Sequence, residues 1–195
     1  MRIAKMILPL LLIAQLSYGQ FSLSPKVGLN VSSLNTEITS DEATDGRVGW
    51  HVGTDFRFRN GAFLVQPGVY YQSMTAELIR DVPNTPFETL KEKTTIQSAR
   101  LPLNLGAFLT GEGGIINIHV RGGVVPTFIL GINEKDNFSI SKDDLSPFSL
   151  GANAAVGIDI LFLTVDLGYE WGLTDFFENV DGKNNMLTLS AGLVF

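Results

Sequence analysis

Few side chains in this chain are of a type that could run a reaction, and their spacing decides against most of the reactions. The two histidines, His51 and His119, each fall on the polar side of an alternating stretch, well inside it. General-base catalysis needs a histidine beside an attacking group at a place substrate can reach, such as a rim. His51 and His119 lie in opposite halves of the pattern, so two hydrogen-bonded interior histidines are expected, not a catalytic pair. Asp166 and Glu170 are four apart on one strand face, about 13 Å along the axis. That is too far for the acid and base of a glycosidase, so pairing with arginines is expected. Asp41, Glu42 and Asp45 lack the spacing and the final bidentate Glu of a calcium loop, and read as a solvated acidic loop. Gly111-Glu112-Gly113-Gly114 is a turn and not a phosphate cradle, because no helix follows it. The absence of Cys removes thiolate metal sites, disulfides, a cysteine nucleophile and a lipid-modified cysteine. No catalytic residue, metal or cofactor is expected.

The elements that would position these groups follow from composition and period. Of 195 residues, 45% are apolar and only 17% charged, against roughly 25% charged in a soluble domain. Residues 1–19 read as a signal peptide, with Arg2 and Lys5 ahead of the apolar run Met6 to Leu16 and Ser17-Tyr18-Gly19 at the cleavage site. That run is too short to cross a bilayer as a helix, which takes roughly 20 residues. Residues 20–195 form the second unit. Removing Arg2 and Lys5 takes the formal charge from −6 to −8, with 20 acids against 12 bases. Such a chain has no basic field for nucleic acid.

From residue 20 the period is two almost throughout. Phe21, Leu23, Val27, Leu29 and Val31 alternate with Ser22, Ser24, Lys26, Gly28, Asn30 and Ser32. The same pattern recurs over 47–59, from 63, over 94–110 and from 116. It returns from 148, over 163–173 and from 186 to the end, which makes eight strands. Long loops at about 34–46, 78–93, 131–146 and 175–183 interleave with short turns at Asn60-Gly61, 111–114 and near 160–162. The fold class expected is all-β, an eight-stranded antiparallel up-and-down transmembrane β-barrel with two unlike ends. The long loops hold most of the acidic residues, so one end is strongly negative.

Alternation does not say which face points outward, since a soluble lipocalin-like ligand-binding barrel has the same period. Three features favour an apolar exterior. Trp50, Tyr71, Phe128, Phe148 and Trp171 fall at the long-loop end of the apolar face, and Phe21, Phe58, Phe63 and Phe195 at the short-turn end. Two such belts mark a lipid-facing surface. The polar face is rich in Gly and carries Lys26, Arg57, Arg100 and Arg121 against Asp55, Asp159, Asp166 and Glu170, compensating charges that suit a crowded lumen. The chain also closes on an aromatic residue, Phe195.

Lys26 to Asn30, the hairpin Gly49 to Gln72 with Gln66-Pro67-Gly68, Arg100-Leu101-Pro102-Leu103, Gly151 to Ile158, Asp166 to Tyr169 and Leu189 to Phe195 carry a resemblance over nearly the whole chain. It resembles the small outer-membrane β-barrel proteins of the Bacteroidota, the "porin family" or PorT-like proteins. The resemblance implies insertion by the outer-membrane assembly machinery, with Phe195 as its signal, and contact with outer-membrane lipid and lipopolysaccharide. Some relatives resemble components of a protein secretion system. The expected role is structural, adhesive or secretion-accessory, through the acidic loops and a surface partner. A narrow channel or small-solute transporter is the alternative. An eight-stranded interior is only just wide enough for its own side chains, which disfavours an open pore.

Overall fold

A computed structural model describes residues 20–36, 47–81, 89–110, 114–133, 147–174 and 182–195. The signal-peptide assignment, Asp41, Glu42, Asp45 and 111–113 lie outside the described residues. Nine strand segments form one sheet: β1 (Gln20–Thr36), β2 (Arg47–Asn60), β3 (Phe63–Asp81), β4 (Thr89–Arg100), β5 (Leu103–Phe108), β6 (Ile116–Asn133), β7 (Phe148–Ile160), β8 (Leu163–Gly172) and β9 (Gly182–Leu193). β4 and β5 both lie between β3 and β6 and are two halves of one strand, so the closed barrel has eight strands. The break falls at Leu101-Pro102, since proline has no N–H to give the ladder. The Leu101 N–H donates to Pro126 O (2.9 Å), and Pro102 O accepts from the Gly68 N–H (2.8 Å), so the wall stays sealed. β1 closes on β9, and the seam ends in a reciprocal pair between Leu23 and Phe195, both bonds 3.0 Å.

The alternation is realised with the apolar side outward. Leu167 and Trp50 are about half exposed, whereas Lys26, Asp55 and Asp166 are each no more than 2% exposed. A soluble barrel with an apolar pocket is thereby excluded, because the interior is the polar face.

Two expectations need correction. The first short turn is centred on Gly61-Ala62 and not on Asn60-Gly61, because Asn60 still pairs with Phe63. Gly61 takes positive φ (58°) at the first central position, and Leu161 takes the same position (φ 55°) in the β7–β8 turn. The strands also reach into the segments read as long loops. β3 and β4 pair as far as Asp81 and Thr89, and β1 and β9 as far as Thr36 and Gly182. Beyond the bilayer no lipid imposes an apolar face, so a ladder continues there without the alternation that betrays it in sequence.

Candidate functional site

The lumen is where the chemically capable side chains meet. Lys26, fully buried on β1, places Nζ 2.7 Å from Asp55 Oδ2 on β2 and 2.5 Å from Asp166 Oδ2 on β8. Gln66 Nε2 donates to the same Asp55 oxygen at 2.6 Å. Gly68, two residues on, leaves the space that the Asp55 carboxylate fills, which gives the Gln66-Pro67-Gly68 stretch a physical role. Arg121 on β6 donates to Asp166 Oδ1, and His119 Nε2 lies 3.2 Å from that oxygen. Toward the short-turn end Arg57 donates to Asp159 (2.9 Å) and to Thr164 (3.1 Å). Toward the long-loop end Arg100 donates to Gln72 Oε1 (2.8 Å) and to Glu170. Lys26, Arg57, Arg100 and Arg121 thus balance Asp55, Asp159, Asp166 and Glu170. Charge kept from water costs several kcal/mol per ion unless partnered, so such a lumen must be close to neutral.

Opposite each large inward group the neighbouring strand often carries glycine. Lys26 faces Gly192, His51 faces Gly28, Asp166 faces Gly157 and Arg121 faces Gly106 across the ladders. A Cβ at any of these glycines would run into the facing side chain or its backbone, and at Gly157 into His119 as well. Volume, not backbone freedom, explains them, because an eight-stranded interior holds little more than its own side chains.

The histidines are packed as interior groups. His51 Nδ1 meets Asn30 Oδ1, its Nε2 lies 2.9 Å from Ser190 Oγ, and its ring meets Tyr70 edge-on. His119 is fully buried, with its ring against Phe108. Ser190, His51 and Asn30 have the connectivity of a nucleophile, a base and an orienting group. His51 and Ser190 face a chamber inside the barrel, however, and the backbone N–H groups of the strands that carry them serve the ladders, not an oxyanion. Asp166 and Glu170 belong to separate clusters. Asn30, Thr164 and Ser190 are not singled out by the sequence, and Gln66 and Gln72 carry no partner there. Their only signal was an inward place in the alternation, and their partners lie on strands whose register only the fold supplies.

Several of the outward aromatic side chains meet in pairs. Phe21 and Phe58 have ring centroids 5.3 Å apart at the short-turn end. Trp50 and Tyr71 (5.6 Å), Phe128 and Phe148 (5.2 Å), and Tyr169 and Trp171 (4.9 Å) lie toward the long-loop end. Phe63 and Phe195 are among the most exposed side chains. Phe162, also exposed, joins the short-turn belt, and was missed because it was read only as part of a turn.

At the short-turn mouth the Arg59 guanidinium lies over the Phe108 ring, 3.9 Å from its centroid. That contact and the ion pairs above it, Lys26–Asp166 and Arg121–Asp166 among them, crowd the axis among the described residues. Purified protein in planar bilayers should show no large, steady conductance. A reproducible pore of porin size would overturn this.

Residues 13–178 match the family model described as outer membrane protein beta-barrel domain. No curated protein matches the chain in sequence. Among solved structures, one is Ail, the attachment invasion locus protein of Yersinia pestis, in complex with the heparin analogue sucrose octasulfate. It is 13% identical, with a TM-score of 0.55 over 90% of this chain and 99% of that one. The outer membrane protein OprG from Pseudomonas aeruginosa is 12% identical, with a TM-score of 0.53 over 91% and 97%. The outer membrane enzyme PagL is 9% identical, with a TM-score of 0.51 over 85% and 97%. At these identities the likeness is one of fold.

Proposed function

This chain belongs to the family of outer membrane protein beta-barrel domains, and on that premise we propose that it is a non-catalytic attachment protein of the outer-membrane surface. The observation that carries this reading is the uneven height of the wall. β3 and β4 pair with each other from Ala76–Thr94 to Asp81–Thr89, past the last rungs to β2 (Val48–Thr75) and β6 (Thr95–Asn133). β1 and β9 likewise pair from Ser33–Asn185 to Thr36–Gly182, past the rungs to β2 and β8. Two ribbons therefore rise from the long-loop end, with outer edges that have no ladder partner among the described residues. Such edges offer backbone donors and acceptors to an added strand. In bacterial barrels the long-loop end faces outward.

The acidic balance of this end narrows the partner. A sulfated polysaccharide such as the heparin analogue bound to Ail would meet like charge here, whereas a protein with basic residues beside an extended segment would be drawn in. A secretion-accessory role of PorT-like kind rests on the sequence resemblance alone and is the second reading. Lipopolysaccharide and the assembly machinery are its proposed partners in the membrane.

A tag after Asp143 should be labelled on intact cells and one at Gly61 should not. Removing residues 77–93 and joining Ala76 to Thr94 by Gly-Gly should leave a heat-sensitive, fast-migrating barrel but abolish adherence of expressing cells to a protein-coated surface. Equal adherence at equal surface amounts would refute the attachment role, and loss of cargo export on gene deletion would favour the second reading.

A further inference from the structure

The outer end of the lumen differs in chemistry from the rest. Around and below Arg100 charged and amide side chains are interleaved with glycines, hydroxyls and the separate buried side chains Leu64, Phe108 and Val125, but above it Met74, Ile96, Ile129 and Met186 are all apolar, buried and gathered at one opening. With the hydroxyls of Ser98 and Thr127 between them, they line a cup of about 40 Å³ toward the long-loop end, room for about three waters. Its floor is the Arg100–Glu170 pair, which also roofs a second chamber beneath, beside His51 and Arg121. Arg100 and Glu170 are 10% and 14% exposed, against 1% and 2% for Lys26 and Asp55, and no other described ion pair in the lumen opens both partners this far. Glu170 carries a single described cation, whereas Asp166 carries two. Its carboxylate rests in the space left by Gly151, which a Cβ would fill.

We propose that this cup binds a small zwitterion with an apolar side chain, an α-amino acid, its carboxylate on Arg100, its ammonium on Glu170 and its side chain against Met74, Ile96, Ile129 and Met186. An α-amino acid carries its ammonium and its carboxylate on one carbon, the arrangement that inserts into an ion pair already in contact. A lone carboxylate would take Arg100 and strand Glu170, and a lone amine would take Glu170 and strand Arg100. Either leaves a largely buried charge unpaired, while the zwitterion leaves none, and specificity follows from that penalty. The methionines supply flexible walls that fit side chains of several shapes.

The test is titration of the detergent-refolded full chain with L-leucine by calorimetry. Glycine, 4-methylpentanoate and 3-methylbutylamine serve as comparators that lack the side chain, the ammonium and the carboxylate. L-leucine should bind, and each comparator should bind at least about tenfold more weakly. Arg100→Gln and Glu170→Gln should each weaken L-leucine binding about tenfold or more while still migrating faster unheated than boiled. Should either fail to fold, Ile96→Ser with Ile129→Ser alters only the apolar wall, and should weaken L-leucine binding about tenfold while leaving the weak glycine signal unchanged. Absence of L-leucine binding at millimolar concentration overturns the proposal. Wild-type affinity in the double serine variant, or comparators that match L-leucine, would overturn it equally.

Discussion

Asp166→Leu should fold into a barrel that unfolds at a markedly lower denaturant concentration than the wild type, the largest loss from any single lumen substitution. Asp166 sits between Lys26, Arg121 and His119. Its removal leaves Lys26 with Asp55 alone and Arg121 with no described carboxylate partner. Breaking a buried pair from one side typically costs about 3–5 kcal/mol, because the remaining charge keeps its desolvation penalty and loses its compensation. Arg121→Leu should cost less, since Asp166 then keeps Lys26 and His119. The double variant Asp166→Leu with Arg121→Leu should recover part of the loss, because the charge stranded by the first change is gone. Equilibrium unfolding in urea by tryptophan fluorescence measures all three. A wild-type midpoint for Asp166→Leu would show that the charge cluster does not stabilise the barrel.

Phe195→Ala should lower the amount of protein inserted in cells several-fold, yet leave the refolded barrel little changed. The side chain is exposed on the lipid-facing surface at the short-turn end, where truncation costs at most about 1.5–3 kcal/mol of apolar contact. Deleting the residue would be a poorer experiment. The Phe195 backbone forms the reciprocal pair with Leu23 that ends the closing seam, so deletion removes wall as well as ring. Alanine keeps both bonds and isolates the aromatic group, which the resemblance implies is read by the assembly machinery. Quantitative blotting of outer-membrane fractions beside melting of refolded protein separates the two effects. If insertion is unchanged, the signal role falls. If the refolded Ala variant melts as low as Asp166→Leu, Phe195 is a structural residue instead.

How legible this protein was varied with depth in the membrane. Within the bilayer, lipid on one side and a packed polar lumen on the other impose a period of two at every strand, and Phe21 to Ser32 or Leu163 to Leu173 declare both faces. Above the bilayer that pressure ends. The rungs from Leu78–Glu92 to Asp81–Thr89 therefore look like loop in the sequence, although the ladder continues through them. Turn chemistry was half legible. Gly61 announced a tight turn, but Leu161 adopts the same positive φ with no glycine to mark it. Its backbone N–H bonds to Ile115 O and the Phe162 carbonyl accepts from Val194, so the neighbouring chain holds the turn in place.

The sequence by itself determined the class of structure, the sidedness of each strand and the two aromatic belts, because each depends only on spacing along the chain. It also determined which charged residues share the polar face. Partnership was another matter. Lys26 lies 29 positions from Asp55 and 140 from Asp166, and only barrel closure brings both carboxylates to one ammonium. The same closure sets Gly192 against Lys26 and Gly157 against Asp166, His51 between Asn30 and Ser190, and the apolar cup above Arg100. Those juxtapositions were decided by ladder register and barrel stagger. A shift of one residue along a ladder turns every side chain to the other face, and a shift of two keeps the faces but changes every partner.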